Sequence, residues 1–240
     1  MRFFINRSDI CGNTVEITGD DCVHIGVSLR SRPGQKITVC DEQMREYDCV
    51  ITSISQTRVL ADIVDIRSAT TEPNVKIHLY QSIAKGDKLD LIVQKTTEIG
   101  VCDITLVDSK RCVAKYDGKT AEKKVERLSR IAESAAKQSG RAAVPAVNVP
   151  VPFEKAVKEA QGLKIFCYEL EQSVSFRQIL SSSCTNEISV FVGPEGGYTD
   201  DEAAYAVDHG AMAVTLGKRI LRCETAPIFA ISCIIYETEL

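Results

Sequence analysis

The chain has 240 residues, 44% of them hydrophobic, with 29 Lys and Arg against 33 Asp and Glu for a net charge of −4. That composition predicts an ordinary globular protein of one large or two modest domains, with enough chain to build a core without cross-links. The longest apolar run, Ala226 to Tyr236, falls short of the roughly 20 residues that span a bilayer, and Met1 to Ile5 is too brief for a signal segment. No membrane partner and a cytoplasmic location are therefore expected.

The first 70 residues read as β-rich. Gln35 to Asp41, Tyr47 to Ile54 and Val59 to Ile66 alternate apolar and polar residues, the last two around the polar turn Ser55-Gln56-Thr57. Strands at this spacing suggest a small barrel over residues 1–72, closed by the polar linker Thr70 to Asn74. From Val75 the pattern becomes α/β. Val75, Ile77, Leu79 and Gln81 read as a strand, and Leu89 to Ile99 as a helix stopped by Gly100. Another strand follows at Ile104 to Val107, then an amphipathic helix over Thr120 to Gln138. Lys164 to Tyr168, Ile188 to Val192 and Met212 to Leu216 complete the predicted strands. Thr199-Asp200-Asp201-Glu202 is a capping box that opens a helix ending before Gly210. Residues 73–240 are thus expected to form a mostly parallel sheet with helices on both faces.

Ten cysteines are scattered without a C-x-x-C pair, Cys184 and Cys223 among them, which favours small buried hydrophobes over a zinc or redox site. His24, His78 and His209 are isolated in the sequence, so no metal is expected. Gly118-Lys119-Thr120 lacks the earlier glycine of a phosphate loop, and neither G-x-G-x-x-G nor G-x-S-x-G occurs. Charge is uneven along the chain: residues 73–141 carry 14 basic and 9 acidic residues, while the flanking stretches are net acidic. Such a window is either a solvated helix face or a phosphate-binding surface.

Two glycine-containing segments follow predicted strands, where α/β sheets bind ligands. The first runs from Phe191 through Gly193-Pro194-Glu195-Gly196-Gly197 to Thr199, and the second from Leu216-Gly217 through Ile220-Leu221-Arg222-Cys223-Glu224 to Ala226. A tight strand-to-helix turn would account for one or two of these glycines but not for Pro194 and Glu195 between them. Arg219, Arg222 and Glu224 read equally as a site or as an ion-pair group at the start of the last helix.

With these segments, Lys95-Thr96-Thr97-Glu98-Ile99-Gly100-Val101, Gln138-Ser139-Gly140-Arg141 followed by Pro145, the opening Arg2-Phe3-Phe4, the stretch His24 to Arg30 and the closing Glu224-Thr225-Ala226 resemble the RsmE family along nearly the whole chain. The family methylates N3 of one uridine in 16S rRNA with S-adenosylmethionine. The resemblance implies a PUA-like β-barrel at 1–72, a SPOUT methyltransferase domain at 73–240 with a C-terminal trefoil knot, a homodimer, and 16S rRNA within the small ribosomal subunit as partner. It implies cofactor contacts at Leu170, Gly193, Pro194, Glu195, Gly196, Gly197, Leu216, Gly217, Ile220, Leu221, Thr225 and Ala226, with Glu169 beside Leu170 on a third wall. Two residues depart from the family pattern: Lys218 stands where proline is common and Cys223 where threonine is frequent.

For the chemistry, Arg222 is assigned to stabilise charge on the uracil and Glu224 to remove the N3 proton, in preference to Glu195. The rival for Glu224 is orientation of Arg222 or capping of the helix. RNA contacts are expected at Arg2, Arg30, Arg32, Lys85, Lys88, Lys95, Lys110, Arg111 and Arg141. The alternative functions are a non-catalytic RNA-binding assembly protein of the same fold and an α/β enzyme for a small anionic substrate.

Overall fold

The computed structural model describes residues 2–182 and 185–239. The expected Cys184 lies outside them. The chain divides into two compact units, Met1–Glu72 with Ala136–Ala143, and Pro73–Ala135 with Val144–Leu240.

The first unit holds strands β1 (Arg2–Phe4), β2 (Ile10–Cys11), β3 (Thr14–Thr18), β4 (Lys36–Cys40), β5 (Arg45–Ile54) and β6 (Arg58–Ser68), with the short helix α1 (Gly19–Val23) between β3 and β4. They form one six-stranded sheet in the order β1-β4-β5-β6-β3-β2. β1 pairs with β4 in parallel and the other pairs are antiparallel. The long hairpin β5–β6 matches the alternation of its sequence, and two register shifts bend it, at Asp48/Cys49 and at Ile51/Ser53. Phe3, Val15, Ile25, Val39, Cys49, Val59 and Ala61 form the centre of its core.

The expected boundary at residue 72 leaves out the return of Ala136–Ala143 to this unit. Hydrogen bonding explains that return. The Glu72 carboxylate accepts from the backbone of Ala142 at 2.8 Å and pairs with Arg141, while Arg2 donates to the Gly140 carbonyl. Lys137 forms an ion pair with Asp21.

The second unit is a six-stranded, wholly parallel sheet in the order β12-β10-β11-β7-β8-β9. Its strands are β7 (Lys76–Ser82), β8 (Asp103–Asp108), β9 (Ala146–Pro152), β10 (Leu163–Cys167), β11 (Glu187–Val192) and β12 (Met212–Val214). The connecting helices are α2 (Lys88–Ile99), α3 (Gly118–Ser139), α4 (Phe153–Glu159), α5 (Phe176–Ser182), α6 (Asp200–Asp208) and α7 (Thr225–Glu239). A strand buried on both faces needs apolar residues throughout. β11 shows this: Ile188, Val190 and Val192 enter a core shared with residues of α2, α3, α5 and α7, whereas Phe191 packs with Phe153, Phe166 and Tyr198 on the α4 and α6 side. Chain order reverses across the sheet, since β7, β8 and β9 run outward one way and the chain then returns to β10 and β11 on the other side of β7. A crevice at the carboxyl ends of the strands follows from that reversal.

The nine described cysteines form no disulfide with one another. Cys22, Cys40, Cys49, Cys112, Cys167 and Cys223 are buried as expected, but Cys11 and Cys102 are exposed. Burial pushes the Cys49 and Cys167 thiols up to about 12. Among the described residues no helix is long and apolar enough to cross a membrane.

Candidate active site

The loops that leave β10, β11 and β12 enclose a cavity of about 750 Å³ at the carboxyl edge of the sheet. The volume suits a small organic ligand.

The loop after β11 is shaped by its glycines. Gly197 donates to the Pro194 carbonyl at 3.0 Å and has φ +65, and a Cβ there would lie 1.9 Å from Oε1 of Glu169. The positive φ is what calls for glycine here, since the exposed Glu169 carboxylate is the end of a flexible side chain that can swing aside. Thr199 then caps α6: its hydroxyl accepts from the Glu202 amide, and the buried Glu202 carboxylate accepts from the Thr199 amide at 2.8 Å. From the segment after β8, Arg111 donates to the carbonyls of Gly196 at 2.8 Å and Tyr198 at 3.1 Å. Tyr198 is buried against Phe166, with ring centroids 4.3 Å apart, and its hydroxyl accepts from Ser82.

The loop after β12 turns at Gly217, φ +117, whose amide donates to the Thr215 hydroxyl at 3.2 Å. Its far end is fixed by the amides of Thr225 and Ala226, which both donate to the Arg222 carbonyl and begin α7. The loop after β10 is held by Tyr168, whose amide donates to the Val214 carbonyl and whose hydroxyl donates to Asp200 at 2.7 Å.

Of the predicted cofactor residues, Gly193, Pro194, Glu195, Gly197, Leu216, Gly217, Ile220, Leu221 and Ala226 line the cavity, as do Arg222 and Glu224. Leu170 does not; it is exposed to solvent. Gly196 and Thr225 also stand off the lining, the first turned toward Arg111. The cavity adds Lys88, Tyr168, Glu171, Gln172 and Thr215, which the motif reading did not assign to the cofactor. Tyr168 and Thr215 directly follow strands and could have been found by that position alone. Lys88 carries no such signal.

Lys88 enters from the start of α2, and its ammonium lies 2.8 Å from Glu195 and 3.8 Å from Glu224. The amide of Lys85 donates to the same Glu195 oxygen at 3.0 Å. Burial works to raise the Glu195 pKa, but the hydrogen bonds from Lys88 and from backbone amides outweigh it and hold the carboxyl below its ordinary value. Glu224 is also lowered: burial opposes ionisation, and a backbone amide, the Cys223 thiol, and the charges of Lys88 and Arg222 overcome it. The thiol of Cys223 donates to Glu224 at 3.3 Å, and burial followed by that carboxylate pushes it up to about 12. It is a donor here and no nucleophile.

Several of the nine expected RNA contacts are paired with acidic side chains or with backbone carbonyls of their own unit. Arg141 is buried against Glu72, and Arg2 against Glu46 at 2.6 Å. Lys88 and Arg111 are engaged with the loops that line the cavity. Lys95 pairs with Glu98 and Lys110 with Asp201. Arg30, Arg32 and Lys85 are exposed. Nor is His78 isolated: Nδ1 lies 2.6 Å from Asp103 and Nε2 3.3 Å from Glu187, at the opposite edge of the sheet from the cavity.

Residues 71–235 match the family described as an RNA methyltransferase domain. The chain is 34% identical to ribosomal RNA small subunit methyltransferase E of Bacillus subtilis over 95% of this chain and 91% of that one. It is 28% identical to the Mycobacterium bovis protein of the same name, over 98% and 90%. In three dimensions it is similar to the crystal structure of a ribosomal RNA small subunit methyltransferase E from Neisseria gonorrhoeae bound to S-adenosyl methionine, with a TM-score of 0.88, 33% identity, and 98% and 96% of the two chains covered. The glycine loops, the strand-end cavity and these likenesses agree: the chain belongs to the ribosomal RNA small subunit methyltransferase E (RsmE) family.

Proposed function

We propose that this protein methylates N3 of one uridine in 16S rRNA with S-adenosylmethionine, acting in the cytoplasm on the small ribosomal subunit. The observation that carries the reading is the convergence of the loops after β10, β11 and β12 on one cavity at the carboxyl edge of a parallel sheet. Relatives that cover nearly the whole chain bear the corresponding name, and one solved neighbour holds S-adenosyl methionine.

The lining suits that cofactor. Leu216, Leu221 and Ala226 offer an apolar wall for a flat ring, the glycines let backbone approach closely, and Glu169, Glu171, Glu195 and Glu224 give a negative surround for a sulfonium and an ammonium. When bound, S-adenosylmethionine supplies a methyl group whose bond to sulfur breaks as its bond to N3 forms, the electron pair staying on sulfur. Glu224 takes the N3 proton and later releases it to water. Arg222, exposed at the cavity, stabilises negative charge that develops on the uracil oxygens.

The remaining features follow the family. The first unit is read as a PUA-like RNA-binding barrel, and the segment through Leu216 and Ala226 as the trefoil knot. A homodimer is supported by α7, which is apolar nearly all round yet leaves Phe229 and Tyr236 exposed.

Two measurements test the proposal. Calorimetric titration with S-adenosylmethionine should show binding, and incubation with 16S rRNA or small subunits should add one methyl to a single uridine, read by mass spectrometry. Absence of cofactor binding would instead support the non-catalytic assembly protein.

A further inference from the structure

The two carboxylates nearest the predicted chemistry share one cation. Glu195 is committed twice, accepting at Oε1 from the Lys88 ammonium at 2.8 Å and from the Lys85 amide at 3.0 Å. Glu224 lies 3.8 Å from the same ammonium, within ion-pair range and beyond a hydrogen bond. Lys88 therefore joins the loop after β11 and the loop before α7 to the first residue of α2, and its side chain is about one-third exposed at 32%, facing the cavity. Its position gives the two carboxylates different tasks. Glu195 anchors its loop to α2, and Glu224 keeps an approachable carboxylate beside a fixed positive charge.

We propose that Lys88 is a positioning residue of the methyl transfer, holding Glu224 ionised and in place for proton removal while it anchors the Glu195 loop; the inference rests on the methyltransferase reading above. Glu224 is approached by the Lys88 ammonium from α2 and by the Cys223 thiol beside it, Arg222 adds its charge from the same segment, and the cavity it lines also carries Glu195 from the loop after β11 and Glu169 and Glu171 from the loop after β10. Three of these are carboxylates that disfavour a further negative charge. Among the described residues that line the cavity, Lys88 is the cation from outside Glu224's own segment, so its removal takes away a favourable charge that the segment itself does not replace.

The test compares wild type, Lys88→Met and Lys88→Arg in two assays. The first is single-turnover methylation of 16S rRNA with saturating S-adenosylmethionine across pH 3.5 to 8, a range that reaches the acid limb of a carboxylate held below its ordinary value. Lys88→Met should move the acid limb upward by about one pH unit and, through misplacement of Glu224 and not through its protonation, lower the neutral rate about tenfold, and Lys88→Arg should restore the limb. The second follows the Glu224 carboxylate by NMR titration without RNA, assigned with Glu224→Gln, and should show the same upward displacement. An unmoved acid limb and an unmoved Glu224 titration in a folded Lys88→Met protein would overturn the proposal, as would a tenfold loss of cofactor affinity with the limb unchanged, since that marks a loop clamp alone. If wild type methylates no RNA, the functional reading fails, and the NMR titration still decides whether Lys88 governs Glu224.

Discussion

Arg111 donates to the carbonyl of Gly196 at 2.8 Å, so a side chain from the segment after β8 holds the glycine loop that follows β11. The sequence alone assigned Arg111 to RNA. Its contacts with Gly196 and Tyr198 tie it to a loop that lines the cavity.

Arg111→Ala should therefore weaken S-adenosylmethionine binding by about fivefold to tenfold, roughly 1 kcal/mol for the lost hydrogen bonds. Calorimetry reads it directly. Cofactor affinity equal to wild type, with RNA affinity alone reduced, would return Arg111 to its expected role.

Arg141 and Glu72 predict a loss of stability. Removing one member of a buried ion pair leaves the other charge desolvated, which costs about 3 kcal/mol. Arg141→Met should lower the urea midpoint accordingly. Glu72 also accepts from the Ala142 and Ala143 amides, so Glu72→Gln should be milder. An unchanged midpoint for Arg141→Met would mean that the pair contributes nothing.

His78 gives stability a pH dependence. The hydrogen bond that His78 donates to the Asp103 carboxylate comes first among the causes that raise its pKa above 6.5, with burial opposing and Glu187 assisting. A group raised in the folded state contributes fully below its unfolded value and loses that contribution as pH rises through the folded value. Stability should therefore fall from about pH 6.5 upward, and His78→Gln should remove that slope in urea titrations at successive pH values. A slope of equal size in the variant would assign the dependence elsewhere.

Phe229 tests the homodimer. It is 42% exposed on α7, and a carboxylate in its place would be poorly tolerated in an apolar interface. Phe229→Glu should shift the protein from dimer to monomer by light scattering at micromolar concentration. Wild type that is monomeric under the same conditions would remove this assignment.

Periodicity made the second unit legible. Continuous apolar runs marked β10 and β11, the 3.6-residue pattern marked α3, and Thr199 with Glu202 marked the start of α6. β9 escaped because Pro150 and Pro152 interrupt it, which an edge strand tolerates and a central strand would not. β1 and β2 are too short to carry a pattern. The glycine loops were visible because a backbone needing positive φ at Gly197 and Gly217 selects one residue type. The partners of charged residues were not. Lys88 and Glu195 are 107 positions apart, and nothing local distinguishes a lysine facing a cavity from one facing water. The same blindness placed Arg141 on a surface when it is buried.

The return of Ala136–Ala143 to the first unit also bears on how such a chain can be inherited or divided. A protease nick or a recombination event at the linker near residue 72 would separate Glu72 from Arg141 and Arg2 from Gly140, partners that stand on either side of that point in the sequence but belong to one folded unit. The first unit could then be exchanged between relatives intact only with three crossovers, near residues 72, 136 and 143, so a seam that looks single in the sequence is crossed three times by the chain.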